Sequence, residues 1–267
     1  MAGEDEVETT QKKDMLAMAM LKGTMDLHDK AEKCSYILRM IESRITRPQY
    51  RLLLADLHVI YSALEEETEQ LKEDPIYGPM YCPDELNRVK NLEKDLLYFY
   101  GTNWRKSVTP TKAALKYADH IHDIGRRNPC LLLAHSFVRY LGDLSGGQVL
   151  KFKMSRCMSM PASGEGLYFY QFDKVQNAIR LKNYLMGRIN NLEVEPELYN
   201  DLLQEARLAF QLNIDVFEEL EPIAERINRL RNPPQNIVLF EKIWQASTVM
   251  LSFAVMYNLS NTLSAVV

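Results

Sequence analysis

The sequence predicts an all-α fold, built as a single helical bundle. Three observations carry that expectation. Apolar residues recur at spacings of three and four along most of the chain, the period of a helix with one buried face. The breaks between these stretches are marked by proline and glycine, and no run of alternating residues offers a sheet. A chain of 267 residues, 46% hydrophobic and 25% charged, is long enough for one large core.

Taken in order, the periodic stretches place helices at Asp14–Glu32, Cys34–Glu42, Pro48–Lys72, Asp84–Tyr100, Thr111–Arg126, Cys130–Met158, Asp173–Asn191 and Pro196–Leu220. Pro75, Gly78, Pro79 and Pro83 cluster in one connection, and Pro161 to Gly166 form another. Asp84 and Glu85 after Pro83, and Asp173 before its apolar run, suit helix N-termini. Tyr168-Phe169-Tyr170 has strand-forming residues, but nothing else in the chain would pair with it. Glu65-Glu66-Glu67 is read as a solvated helix face.

The formal charge of −4 argues against a nucleic-acid binder, which needs a basic face for phosphates. Cys34, Cys82, Cys130 and Cys157 are far apart, with no CxxC pair, and are expected to be reduced thiols. The acidic start, over residues 1–13, is expected to be disordered and does not begin like a signal peptide. At the other end, 243–267 carries no charge and is mostly apolar. It is expected to form a single membrane anchor, preceded by Arg226, Arg229, Arg231 and Lys242 on the cytosolic side. The alternative is an amphipathic packing helix or a frayed tail. Residues 223–242, with Asn232-Pro233-Pro234, are expected to be a linker.

Two segments depart from a routine helical core. Leu21, Met25, His28 and Glu32 share one helix face, so an imidazole sits on an apolar stripe with a carboxylate one turn later. That arrangement suits an axial metal ligand with an orienting partner, but the helix alone favours a buried histidine that merely bonds Glu32. The second segment is Arg139-Tyr140-Leu141-Gly142-Asp143-Leu144-Ser145-Gly146-Gly147-Gln148. Each interior glycine costs a helix about 1 kcal/mol relative to alanine. Gly142 and Gly146 lie one turn apart on one face, with Gly147 beside them, leaving bare backbone that something flat could approach. A close helix crossing would need the same small residues. Arg139 and Asp143, four apart, could form an ordinary surface pair.

Leu144-Ser145-Gly146-Gly147-Gln148 also matches the signature of ABC-type ATPases. Such an enzyme requires a GxxxxGK[ST] loop, and the sequence has none.

Over roughly residues 14–222 the chain resembles the eukaryotic, membrane-anchored haem (heme) oxygenases. Five strings in order carry the resemblance: Leu27 to Glu32, Leu57 to Glu67, Arg139 to Gln148, Ser163 to Leu167, and Leu212-Asn213-Ile214 with Phe217 to Leu220. The resemblance implies a bundle that holds haem between a proximal and a kinked distal helix. Haem would be substrate and cofactor, opened by molecular oxygen to biliverdin, carbon monoxide and ferrous iron. Electrons would come from a separate NADPH-dependent microsomal flavoprotein reductase, since the chain has no dinucleotide fingerprint. Biliverdin reductase is a further implied partner, and the cytosolic face of the endoplasmic reticulum membrane the implied location.

By position, His28 matches the family's iron ligand and Glu32 its partner. Gly142, Ser145 and Gly146 match the distal segment lying over the haem face, and Phe210 a residue lining the pocket. Asp143 matches the carboxylate that delivers protons through water, and Tyr61, Arg139 and Asn213 match members of that network. The alternative for Tyr61 and Asn213 is a satisfied buried polar group. Lys182 matches one cation that holds the haem carboxylates.

The other anchors depart from the family. Met186 stands in place of an arginine, Phe137 in place of a tyrosine, and Leu21 at a common lysine position. Val138 replaces a hydroxyl residue. Arg188, two residues from Met186, falls on another side of its helix. Thin anchoring predicts relaxed regiochemistry or loose haem binding. The competing readings are a haem sensor or store without turnover, and a helical scaffold that binds no haem. Among the other histidines, His120 and His122 are two apart and do not share a face, while His58 and His135 read as structural.

Overall fold

The computed structural model describes residues 15–231; the expected acidic tail at 1–13 and the expected anchor at 243–267 lie outside them. Among the described residues every regular element is helical, as the periodicity predicts. The order is α1 (Leu16–Gly23), α2 (Met25–Glu32), α3 (Ser35–Ile41), α4 (Arg47–Glu69), α5 (Pro83–Leu86), α6 (Val89–Tyr100), α7 (Trp104–Ser107), α8 (Lys112–Arg127), α9 (Leu132–Cys157), α10 (Ala178–Asn190) and α11 (Pro196–Arg231). Gly78–Met80, Pro129–Leu131 and Tyr168–Tyr170 are single turns of 3-10 helix, so the tyrosine-rich segment is not a strand. The chain divides into two compact units, Met1–Pro222 and Ile223–Val267.

α4 is the spine of the first unit. It starts with a capping box in which Thr46 and Gln49 satisfy each other's backbone N–H groups, with Pro48 in the first turn. Tyr50, Leu54, Ile60, Tyr61 and Leu64 bury its core face completely. Asp56 on the same helix accepts from the backbone N–H of Thr111 at 2.7 Å and from its hydroxyl at 2.8 Å. Thr111 in turn caps α8 by accepting from Ala114 N–H at 3.2 Å. One carboxylate thus docks the start of α8 against the middle of α4.

Several boundaries differ from the sequence reading, each for a local reason. The first expected helix breaks at Thr24, whose hydroxyl donates to Met20 O at 2.8 Å and competes with the backbone ladder. The expected helix at 84–100 splits because Glu65 of α4 reaches across to cap α6, accepting from Arg88 N–H and, at 3.0 Å, from Val89 N–H. The Glu65-Glu66-Glu67 run is therefore not a solvated face. Only Glu66 is exposed, while Glu67 meets His122 Nδ1 at 2.7 Å. α10 begins at Ala178 rather than near Asp173 because Asn177 supplies the cap, accepting from Arg180 N–H at 2.9 Å.

α11 runs on through Pro222 to Arg231, so 223–231 of the expected linker is helical. The remainder of that linker lies outside the described residues. Among the described residues no helix is long and apolar enough to cross a membrane. All four cysteines are free.

Candidate active site

α2, α3, α4, α9 and α11 enclose a cavity of about 330 Å³, within the ~300–1,000 Å³ range of small-molecule sites. Its lining is mostly apolar, with Met40, Leu53, Leu57, Phe169 and Phe217 among the walls. Polar groups enter from α2, α9, α11 and the turn that carries Tyr170.

His28 lines one side. α2 has no buried residue, and the His28 side chain is 57% exposed, at the rim. Its ring meets Phe210 edge-on at 6.1 Å between centroids, so Phe210 fixes one side of the imidazole without using a ring nitrogen. Glu32 Oε1 lies 4.0 Å from His28 Nδ1, beyond hydrogen-bond length. The expected apolar stripe around His28 is not a packed one: Met25 is 61% exposed and Leu21 is also exposed, because the break at Thr24 releases this turn from the core.

α9 supplies the opposite side. A Cβ added to Gly142 or Gly146 would meet no atom within 4 Å, although both residues line the cavity. This is space beside bare backbone, not a helix crossing. Gly147 differs, since a Cβ there would come within 3.2 Å of the Tyr170 ring. The strip open to a ligand is thus Gly142 with Gly146, and Gly147 serves packing. Ser145 is exposed, its hydroxyl donating to Leu141 O at 2.8 Å and accepting from Lys182 Nζ at 2.9 Å.

Beyond the glycine strip the four expected polar residues form one buried cluster. Tyr61 donates its hydroxyl hydrogen to Asp143 Oδ2. Arg139 Nε donates to the same hydroxyl at 3.1 Å, its Nη1 donates to Asn213 Oδ1, and Asn213 Nδ2 donates to Ala209 O at 3.1 Å. Arg139 and Asp143 are therefore not an ordinary surface pair; a tyrosine hydroxyl from α4 stands between them. Burial pushes the Asp143 carboxyl above its ordinary range, opposed by the Arg139 cation. Burial also drives the Tyr61 phenol well up, with Arg139 opposing and Asp143 reinforcing. For Arg139 burial works against the charge, but Tyr61 and Asp143 more than restore it. A cation, a phenol and a carboxyl group inclined to hold its proton make a short relay ending at the cavity.

Sequence reasoning missed two contributors. Arg88 adds a second cation to the field that favours the Asp143 anion; its guanidinium stacks on Phe172 at 4.0 Å and donates to Leu86 O at 2.7 Å. Phe169 and Tyr170 form part of the wall because Asp95 accepts from Tyr168 N–H at 2.9 Å and Phe169 N–H at 2.8 Å, folding that turn inward. Nothing in the local sequence pairs Asp95 with a turn 73 residues later.

The heme oxygenase family profile matches residues 14–219 of this chain. The chain belongs to the heme oxygenase family. It is 42% identical over 211 residues to heme oxygenase 1 of Gallus gallus, covering 79% of this chain and 71% of that protein. To heme oxygenase 1 of Homo sapiens it is 39% identical over 218 residues, covering 82% and 76%. Among solved structures, heme oxygenase-1 of the cyanobacterium Synechocystis, crystallised in complex with heme, superposes with a TM-score of 0.76 at 33% identity. That match covers 86% of this chain and 99% of the cyanobacterial one.

Of the departures from the heme oxygenase pattern, only Val138 lines the cavity. Phe137 is buried and Val138 lines the cavity with a methyl surface where a hydroxyl was expected. Met186 is half-buried on α10. Arg188 does not take its place: its guanidinium lies over the Tyr184 ring at 5.5 Å. Lys182 is the one expected anchor among these positions, and it is already bonded to Ser145. Of the remaining histidines, His58 packs edge-on against Trp104 at 5.0 Å, and His122 turns to Glu67. His120 and His135 both turn to Glu205.

Proposed function

We propose that this chain is a haem-degrading oxygenase whose substrate lies between His28 and the Gly142–Gly146 strip. The observation that carries this reading is the open strip itself. Two glycines in the middle of a long helix face free space, opposite an exposed imidazole, in a cavity whose inner end holds a buried proton relay. Such residues fit a planar iron macrocycle, because a side chain at 142 or 146 would occupy the plane the ring needs.

Bound haem supplies the iron that activates molecular oxygen and the macrocycle that is opened, giving biliverdin, carbon monoxide and ferrous iron with electrons from an NADPH-dependent flavoprotein reductase. The chain's own residues do the rest. His28 ligates and Phe210 holds its ring, while the apolar walls exclude bulk water. Asp143 holds a proton near the glycine strip and Tyr61 and Arg139 keep that carboxyl oriented, a role filled through ordered water.

The thin carboxylate anchor supports a further reading, that bilin formation is less confined to a single isomer than in relatives. Met186 and Phe137 cannot hold a carboxylate, and Arg188 is engaged elsewhere. The same observation favours the competing reading, a haem sensor or store. The implied reductase, biliverdin reductase and an endoplasmic-reticulum attachment through 243–267 belong to this proposal.

Addition of haemin and a reductant to purified protein under air tests it. Loss of the Soret band with a rising bilin absorbance is expected, and chromatography should resolve more than one bilin isomer. A stable Soret shift without conversion would establish the sensor, and a single isomer would overturn the relaxed cleavage.

A further inference from the structure

Away from the haem cavity, three side chains on three helices converge on one point. His120 comes from α8, His135 from α9 and Glu205 from α11. Nε2 of His120 lies 2.6 Å, and Nε2 of His135 2.7 Å, from the same oxygen, Glu205 Oε1. The three prospective donor atoms all fall within 4.8 Å of one another. His135 is fully buried and Glu205 buried, while His120 retains 23% of its side-chain exposure. On the far side of the His135 ring, Nδ1 faces the Tyr117 hydroxyl at 3.2 Å.

We propose that His120, His135 and Glu205 bind one borderline divalent transition-metal ion, of the zinc, cobalt or ferrous class, at a site separate from the haem iron. Two imidazole nitrogens and one carboxylate are the donor set such ions select, whereas magnesium and calcium take oxygen donors. Three protein ligands leave positions for water on the side where His120 reaches the surface.

Charge argues the same way. Among the described residues no lysine or arginine forms an ion pair with Glu205, and its only ionic partners are the two imidazoles. A carboxylate buried in a bundle without a full counter-charge is costly, and a bound cation would neutralise it. Two ring N–H groups crowd a single carboxylate oxygen, an arrangement already gathered to the span of a metal site. On binding, each ring moves its one proton from Nε2 to Nδ1 and presents the freed Nε2 lone pair to the ion. His135 Nδ1 then donates to Tyr117, which fixes the ring from behind as outer partners of ligating histidines commonly do.

This site does not depend on the haem-degrading reading, and its test does not use haem. Cobalt(II) and then zinc(II) are titrated into the haem-free full chain carrying His28→Ala. That background removes the other group of donors, His28 with Asp29 and Glu32. One equivalent of cobalt with visible d–d bands, displaced by zinc and unaffected by excess magnesium, is expected. His120→Ala, at a partly exposed position, should weaken cobalt binding at least tenfold, and Tyr117→Phe by roughly tenfold. In the unsubstituted chain, zinc should shift the nitrogen-15 resonances of His120 and His135 Nε2. The absence of saturable binding, equal affinity with His120→Ala, or unmoved His120 and His135 resonances would overturn the proposal.

Discussion

The Tyr61 hydroxyl donates to the Asp143 carboxylate while accepting from Arg139 Nε at 3.1 Å. The phenol is thus held between a cation and a carboxyl group that both line the cavity. Asp143→Ala is expected to leave haem binding intact and to divert the chemistry from bilin to peroxidase-like oxidation. Soret titration and product absorbance check the two halves separately; bilin made at the full rate would remove Asp143 from the mechanism.

Tyr61→Phe cuts the same relay in the middle. It leaves Arg139 Nε without its acceptor in a buried setting, at a cost of about 1–3 kcal/mol. Denaturant unfolding measures that loss, and turnover per bound haem should fall with it.

His28→Ala should behave in the opposite way. The side chain is exposed and in contact with little, so stability should change by no more than about 0.5 kcal/mol. Turnover should vanish and return in part with added imidazole.

The glycines separate stability from function. Gly142→Ala meets no atom and removes a poor helix former, so the haem-free protein should gain about 0.5–1 kcal/mol while haem affinity falls. Gly147→Ala pushes against Tyr170 and should destabilise instead. Thermal unfolding of the two variants beside haem titrations decides both signs.

A pH effect follows from the caps. Burial raises the carboxyl groups of Asp56, Glu65 and Asp95 to about 7, against their backbone hydrogen bonds. A folded pKa above the unfolded one means that the folded state holds the proton more tightly. The stability this contributes is full below the unfolded pKa and is lost as pH rises through about 7. His58 and His135 are lowered by burial and act only on the acid side of 6.5. The melting temperature should therefore fall between pH 6.5 and 8. Glu65→Gln keeps the single acceptor oxygen that caps α6, and should blunt the fall.

The helices were legible because their apolar spacing answers to a local period, and the glycine segment because glycines inside a helix are costly enough to need a reason. What stayed hidden was set by distant partners. Tyr61 and Asp143 are 82 residues apart, and no spacing shows that a tyrosine would separate Arg139 from its expected partner. The split at Asn87 was invisible because the cap of α6 comes from Glu65, whose neighbours disguise it as one more surface charge. The last helix was expected to end at Leu220, yet it continues through Pro222, as a helix can when a proline removes a single bond. His28 stood out for its place on a helix face, but its exposure did not, because the break in the helix at Thr24 is set by a side-chain hydroxyl.

Asp95 sets the location of the aromatic back wall while standing on α6, a helix that gives no atom to the cavity lining. Pocket depth is thereby referenced to a part of the bundle remote from both ligand-facing helices. Remodelling the shape of the chamber can proceed from that outer helix, with the imidazole, the bare backbone and the acid group all left untouched.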